Sequence, residues 1–322
     1  MDRIIGLDIG YGYTKMVYER LSGITTECFP SVVSNYEIGL DAEGLEGDKE
    51  AIIKIGEQLF LCGNEAIKQK KALKFESRDK AWINSIAYEV LCRAALQKYN
   101  FPSDRTVIAT GLPVAYYKAD RERLAKKITE IAKDYGDKCI VKVVPQPLGS
   151  FFNMFFDAKG NIINDQLRPE HIGIVDVGFK TTDILAFSEM RPVMRMSTSF
   201  DTGISTAYDS IARDIYAEYG LMLEPHTIGQ AVKLGYVKTF GEQHDISKFS
   251  KNRLTELAEA IRAEVATLWG DTREIDRILL TGGSVLILRT FLDKYKQGRV
   301  LENSQTANAA GFFKYAKRVS HE

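Results

Sequence analysis

Two stretches of this 322-residue chain carry the same small set of chemically useful residues: Asp8-Ile9-Gly10-Tyr11-Gly12-Tyr13-Thr14-Lys15 and Asp176-Val177-Gly178-Phe179-Lys180-Thr181-Thr182-Asp183. In the first, Gly10 and Gly12 let backbone amides approach an anion with no Cβ in the way, and a run of such N–H groups forms an anion-binding nest. Thr14 adds a hydroxyl, and Lys15 a cation for the outer phosphates of a polyphosphate. Asp8 has no use against an anion. It suits Mg²⁺, held through water because that hard ion keeps part of its hydration shell. Taken alone, the stretch also reads as a hairpin turn with glycine for geometry and aspartate as turn former. The second stretch has one glycine, Gly178, with hydroxyls from Thr181 and Thr182 and a repeated carboxylate in Asp176, while Asp183 reads as structural. Recurrence of the device in the same strand context favours the phosphate-and-metal reading over the plain turn.

Three further segments could complete such a site. Gln146, between Pro145 and Pro147, is placed to orient a water for attack on a terminal phosphate; a neutral amide positions rather than deprotonates. The other reading makes the prolines the point and Gln146 a turn residue. Thr281-Gly282-Gly283-Ser284, after an apolar strand and before a helix, would let a nucleoside lie against bare backbone, with a phosphate near the helix N-terminus. A glycine pair there is also ordinary α/β punctuation. Asp201-Thr202-Gly203 reads as an N-cap for a helix at Ile204. His171, His226, His244 and His321 have no spacing for a metal or a triad, and the chain has neither a Walker A nor a GxSxG sequence.

The elements that must position these residues follow from periodicity. Ile4 to Ile9, Lys15 to Tyr18 and Thr25 to Phe29 read as a meander of strands. A small inserted subdomain runs from about 31 to 78, with strands at Ala51 to Ile55 and Gln58 to Cys62 and a short helix after Asn64. Asp79 to Lys98 reads as one amphipathic helix capped by Asp79, with Trp82, Ile86, Val90 and Ala94 on its apolar face. Then come a strand (Thr106 to Ala109), a helix (Ala119 to Ala132), a strand (Ile140 to Val144) and an aromatic helix (Gly149 to Phe156). The second half repeats the order with strands Ile172 to Val177, Ile184 to Phe187 and Pro192 to Ser197. Inserted helices follow at Ile204 to Tyr219, Glu224 to Leu234 and Ser250 to Leu268, the last with a stripe from Leu254 to Leu268 that reads as core. A strand at Ile275 to Thr281, a helix at Val285 to Leu292, a short strand near Val300 and a helix from Ala307 to Arg318 close the chain. Strands alternating with helices imply an α/β fold. The length suits two domains, 1–145 with its insert and 146–322 with an inserted helical subdomain at about 201–274.

Composition narrows the setting. Hydrophobic residues make up 45% and charged residues 27%, ordinary globular values. Lys plus Arg equals Asp plus Glu at 43 each, so no net charge argues for direct nucleic-acid or membrane binding. Cys28, Cys62, Cys92 and Cys139 are scattered without metal-site spacing, Met1-Asp2-Arg3 leads straight into a strand, and no apolar run reaches membrane-spanning length. The expectation is a cytoplasmic protein with reduced thiols.

The order of these segments resembles the nucleotide-binding pattern of the actin, sugar kinase and heat-shock chaperone ATPase superfamily. Asp8 to Lys15 matches its first phosphate motif, Gln146 to Gly149 the first connecting motif and Asp176 to Asp183 the second phosphate motif. Leu279 to Ser284 matches the adenosine motif and Asn308 to Gly311 the second connecting helix. Within it the chain is most similar to prokaryotic actin-like proteins of the ParM type and their archaeal relatives. The residues concerned are Gly6 to Lys15, Phe29-Pro30-Ser31, Ala109-Thr110-Gly111-Leu112-Pro113, Pro145 to Gly149 and Val175 to Gly178 followed by Thr-Thr-Asp.

That resemblance implies a duplicated, ribonuclease H-like two-domain fold with a nucleotide cleft. It implies ATP and Mg²⁺ as cofactors, Asp8 and Asp176 serving the metal, and Gln146 and Asp176 as catalytic residues. Gly10, Tyr11, Gly12, Tyr13, Thr14 and Lys15, with Gly178, Lys180, Thr181 and Thr182, would hold the phosphates, and Gly203, Gly282, Gly283 and Ser284 the nucleoside. The family often has a third glycine at the position of Ser284, which bears on the choice between ATP and GTP. The implied function is a filament that assembles head-to-tail with nucleotide and moves plasmid DNA through a DNA-bound adaptor, since an isologous contact would close at a dimer. The alternative is a small-molecule kinase using the same clamp, for which Asp201 is the one candidate base.

Overall fold

The computed structural model describes residues 2–36, 52–69, 79–98, 105–136, 138–283, 289, 291 and 294–320. They form two compact units, one of residues 1–167 with 306–322 and the other of residues 168–305.

The first unit is built on a sheet whose described strands are β1 (Arg3–Ile9), β2 (Tyr13–Arg20) and β3 (Gly23–Pro30), with two further strands beyond the small inserted sheet. That inserted sheet holds β4 (Val33–Asn35), β5 (Ile52–Ile55) and β6 (Gln58–Cys62) in the order β4-β6-β5, followed by α1 (Gly63–Lys68). A short tight helix, Asp79–Asn84, leads into α2 (Ile86–Lys98). Then come β7 (Thr106–Leu112), α3 (Val114–Ala132), β8 (Cys139–Pro145) and α4 (Pro147–Phe155). The main sheet runs β3-β2-β1-β7-β8, antiparallel through the hairpins and parallel from β1 to β8.

β1 is buried along its whole length, so both of its faces must be covered. Ile5, Leu7 and Ile9 point into a core shared with α2 and α3, including Leu91, Leu124 and Ile128. Ile4 points the other way, into a core shared with Phe312 and Phe313 of the final helix, Ala307–Ser320. Gly6 shares that second face, and a Cβ on it would collide with the backbone of Ala309 and Phe313.

The second unit repeats the order. Its strands are β9 (His171–Val177), β10 (Thr182–Ser188), β11 (Arg191–Pro192) and β12 (Thr198–Phe200), then the hairpin β13 (Tyr236–Thr239) and β14 (Glu242–Asp245), and finally β15 (Arg277–Gly282) and β16 (Gly298–Val300). The sheet order is β11-β10-β9-β15-β16 with β12 also on β10, the arrangement of the first unit. Helices α5 (Ile204–Tyr219), α6 (Pro225–Leu234) and α7 (Ser247–Trp269) lie between β12 and β15. Leu254, Leu257, Ala258, Ile261 and Val265 of α7 are buried against Val175, Val177 and Ile278, so the stripe is core.

Four expectations are corrected. The strand expected at Pro192 to Ser197 is split into β11 and β12 by a helical turn at Met194–Met196. The helix expected from Asp79 is broken at Ser85, whose hydroxyl accepts from Tyr88 N at 3.1 Å and donates to Trp82 O at 2.7 Å, starting α2 afresh. Ile86, expected on its apolar face, is exposed, while Ala87, Tyr88, Val90, Leu91, Cys92, Ala94, Ala95 and Leu96 are buried. The region read as purely helical contains the β13–β14 hairpin, closed by Phe240 and Gly241 with φ of 47° and 86°. The acidic stretch from Asp41 to Glu50 lies outside the described residues, as does most of the helix expected at Val285 to Leu292. No helix among the described residues is long and apolar enough to cross a membrane.

In the first unit, α4 and the final helix cross at glycine. A Cβ on Gly149 would sit 2.6 Å from Asn308 O, and one on Gly311 would lie inside the Gly149 carbonyl. Asn308 Oδ1 closes the crossing by accepting from Ser150 N at 3.0 Å and Ser150 Oγ at 2.6 Å. Gly311→Ala gains about 1 kcal/mol in helix propensity. It loses more, about 3 kcal/mol, because backbone on both sides cannot yield as a side chain would. A net destabilisation of about 2 kcal/mol in denaturant unfolding is expected from that difference; unchanged stability would mean that the helices do not cross there.

Candidate functional site

The first candidate half-site belongs to the β1–β2 hairpin. Antiparallel register sets Asp8 opposite Lys15 and Ile9 opposite Thr14, so Asp8 and Lys15 share a face. The turn is held by Gly10 N donating to Tyr13 O at 3.2 Å and Ser31 N donating to Gly12 O at 2.9 Å. Neither Gly10 nor Gly12 has positive φ, so glycine serves here for access rather than for a left-handed backbone. A Cβ on Gly10 would crowd Tyr13 O at 3.3 Å and Lys15 Nζ at 3.4 Å. Thr14 Oγ1 lies 2.9 Å from Ser31 Oγ, both buried. Tyr13 stands at the surface, while Tyr11 stacks on Trp82 with ring centroids 4.7 Å apart.

Asp8 is 4% exposed, and a buried carboxylate must be paired. Lys15 Nζ meets Oδ2 at 2.9 Å and Gln146 Nε2 donates to Oδ1 at 3.2 Å, so each oxygen has a partner. Gln146 comes from the end of β8, where its N–H donates to Leu112 O at 2.7 Å and Pro147 opens α4. Proline at the first helical position has the right φ and gives up an N–H that had no partner anyway. Gly111 permits the approach, since a Cβ there would lie 2.8 Å from Gln146 Cα. Gln146 thus joins the Asp8 pair as a side-chain partner, beyond its part in the turn. The Tyr88 phenol lies close enough to Asp8 to register its charge; burial first, then Cys92 and Asp8, holds its pKa well above the ordinary value.

The second half-site repeats the design in the β9–β10 hairpin. Gly178 N donates to Thr181 O at 2.9 Å, and Asp176, Thr181 and Thr182 are all buried. Here the residue opposite the leading carboxylate is Asp183 in place of lysine, and Ser199 donates to it. Gly203 is brought to this turn: a Cβ on it would lie 2.5 Å from Phe179 O and 2.7 Å from Lys180 C. Ile204 N and Ser205 N donate to Gly178 O and Phe179 O at 3.1 and 2.9 Å, and Thr182 Oγ1 donates to Thr202 O at 2.6 Å. The expected cap at Asp201 is therefore corrected: Gly203 holds the N-cap position without a side-chain bond, and the first amides of α5 are occupied by the turn itself. Lys180 stands with Nζ 6.0 Å from the Phe179 ring centroid.

Gly282 is the one glycine of the site with a left-handed backbone. Its φ is 110°, and a Cβ would collide with Val177 O and lie 2.7 Å from Val177 C, directly behind the second turn. Thr281 Oγ1 and Gly282 N both donate to Ser304 O, at 3.0 and 3.2 Å. Gly283 is exposed, with open space where a Cβ would project, and Ser284 lies outside the described residues. Residues that sequence reasoning did not assign to a site are Ser31, Trp82, Ser199 and Ser304; all act through partners distant in sequence. Each hairpin thus sets a glycine turn and threonine hydroxyls beside a buried carboxylate.

Residues 6–149 match the family model for the N-terminal domain of actin-like proteins, and residues 174–294 match that for the C-terminal part of the archaeal actin homologue MreB-like proteins. An archaeal actin homolog from Thermoplasma volcanium is 26% identical over 336 aligned residues, covering 98% of this chain and 99% of the relative. Among solved structures, a 15-stranded ParM filament from Clostridium botulinum superposes with a TM-score of 0.77 at 23% identity, covering 98% of this chain and 99% of that one. An archaeal actin homolog in complex with ADP gives 0.74 at 21% identity with the same coverage.

The Gly282 geometry yields a test. Gly282→Ala incurs backbone strain of roughly 1–3 kcal/mol and a collision with β9. A stability loss of at least about 2 kcal/mol is expected on that account, read as a lowered melting temperature. A variant that melts with the parent would show that β15 does not end in this conformation.

Proposed function

We propose that this chain, whose two halves match actin-like family models, is an actin-like protein of the ParM type that binds ATP with Mg²⁺, assembles head-to-tail into filaments and hydrolyses the nucleotide as the filament turns over. The observation that carries this reading is the convergence of Lys15 and Gln146 on the two oxygens of buried Asp8, at the mouth of a glycine turn. The repeat of that turn behind Asp176 supports it. In this reading the turns Gly10 to Lys15 and Gly178 to Thr182 each serve phosphate, and Gly282 and Gly283 the nucleoside. Gly203 supports the second turn from behind, as its packing against Phe179 and Lys180 indicates.

The donor set fits Mg²⁺ in one particular manner. Among the described residues no group of three or more His, Cys, Asp or Glu side chains converges on a point. Single carboxylates, Asp8 and Asp176, suit an ion that keeps its waters and binds phosphate oxygens directly. When bound, the ion would neutralise charge on the terminal phosphates. The protein's own contribution is to orient. Lys15 supplies a point cation. Gln146, with its amide nitrogen on Asp8, has its carbonyl oxygen left to accept from a water. The cargo we propose is plasmid DNA reached through a DNA-bound adaptor, because the balanced charge offers no net attraction to the duplex itself.

Sedimentation and light scattering with ATP, ADP and no nucleotide test the proposal: ATP should drive assembly, with phosphate released as polymer forms. Turnover without assembly, dependent on an added hydroxyl acceptor, would instead identify a small-molecule kinase. Asp176→Ala should keep the fold and lose hydrolysis; full turnover would remove Asp176 from the metal role. Gln146→Ala should assemble with ATP but release phosphate at least about tenfold more slowly, as expected when a positioning group is lost. An unchanged rate in single-turnover phosphate release would restrict Gln146 to holding Asp8.

A further inference from the structure

Trp82 holds the first turn at its start and at its middle. Its ring stacks on Tyr11, the residue between the two turn glycines, with centroids 4.7 Å apart and planes 28° from parallel. Its indole Nε1 donates to Ile9 O at 3.4 Å, the last residue of β1. That hydrogen bond is at the long limit, so stacking carries most of the attachment. The other edge of the indole meets the Tyr88 ring at 5.9 Å, nearly perpendicular. Tyr88 is buried in α2, and Lys127 Nζ of α3 lies 5.8 Å from its ring centroid.

The segment carrying Trp82 is itself fixed. Trp82 O accepts from Ser85 N at 2.9 Å and from Ser85 Oγ at 2.7 Å, while the same hydroxyl accepts from Tyr88 N and so starts α2. Lys127 Nζ reaches Ser85 O at 3.5 Å. An aromatic column therefore runs from the turn through Trp82 to Tyr88 and ends under a cation on a third element. The turn needs such a support, since neither Gly10 nor Gly12 is confined to a left-handed conformation that would define its shape. Glycine leaves the backbone more freedom than any other residue, and binding would have to remove it.

We propose that Trp82 is a positioning residue for the phosphate turn: by stacking on Tyr11 it pre-sets the Gly10–Tyr11–Gly12 backbone for the anion and transmits its occupancy to α2. This inference rests on the nucleotide reading above and assigns to that site a support outside its own motif. An aromatic pair of this geometry contributes enough to move a binding constant about tenfold when removed.

Trp82→Ala should raise the dissociation constant for Mg-ATP about tenfold by equilibrium dialysis, while kcat at saturating ATP stays within about twofold, since the chemistry is not touched. Trp82→Phe, which retains a stacking ring, should bind near the parental affinity. Tyr11→Leu should match Trp82→Ala, and the double variant should be no worse than either alone, the signature of one shared contact. Intrinsic fluorescence gives a readout that a merely structural role would not move, because Trp82 and Trp269 are the two tryptophans of the chain. Saturating Mg-ATP should shift the emission of the parent protein and leave that of Trp82→Phe, in which Trp269 alone emits, unmoved. Undiminished affinity in both Trp82→Ala and Tyr11→Leu, or a shift retained by Trp82→Phe, would overturn the proposal. A parent protein that does not bind ATP in dialysis would overturn it together with the nucleotide reading, whereas tight binding with Trp82-independent affinity would sink the Trp82 role alone.

Discussion

A carboxylate taken out of water needs partners, and most of the first unit can be read as the means of supplying them to Asp8. Charge burial without pairing costs several kcal/mol, more than a typical side chain gains by packing. Lys15 can pair with Asp8 only if β1 and β2 keep their register, because a slip of one residue would turn lysine to the opposite face. Gln146 can reach it only if α4 starts where β8 ends, and α4 is seated by the glycine crossing with the final helix. Gly6 admits that helix to the same face of β1. Removing Lys15 would leave the carboxylate with an unmet cost, whereas replacing the whole cluster with apolar residues would relieve it. A stable fold has no need of this arrangement.

The second unit uses the same order of strands to a different electrostatic end. Where Lys15 faces Asp8, Asp183 faces Asp176, and Ser199 donates to Asp183 from β12. Like charges opposite one another across a hairpin are unfavourable. The two turns are thus alike in backbone and unlike in charge: a lysine faces the leading carboxylate in one and a second aspartate faces it in the other.

Much of this was legible in the chain because turns with Asp and Gly after apolar runs have few meanings. Most strands of the two main sheets, the α7 core stripe and the placement of Gln146 at a strand-to-helix junction follow from local pattern. What escaped depended on partners far away in sequence. Asp79 and Ser85 are equally good caps on paper, but Ser85 could also bond Trp82 O, and the helix restarted there. The β13–β14 hairpin turns on Phe240-Gly241, which lacks the asparagine or aspartate that announces such a turn. Gly203 looked like a cap or a nucleoside contact. Its need for glycine comes from Phe179 and Lys180 pressing against it, and Gly149 and Gly311 explain one another only once the helices are crossed.

The final helix covers β1 although more than a hundred residues of the second unit lie between α4 and that helix. On a ribosome, domains ordinarily complete in the order in which they are made. Here the first unit is synthesised with the Gly6 face of its central strand and the Gly149 face of α4 still open. The second unit, continuous in sequence, emerges whole before the helix that closes the first. The nascent chain therefore finishes its later half first, and the hairpin bearing Asp8 and Lys15 gains its full backing only when residues 307–320 arrive. A protein proposed to self-associate would in this way back its Asp8 hairpin only after its second unit has been made.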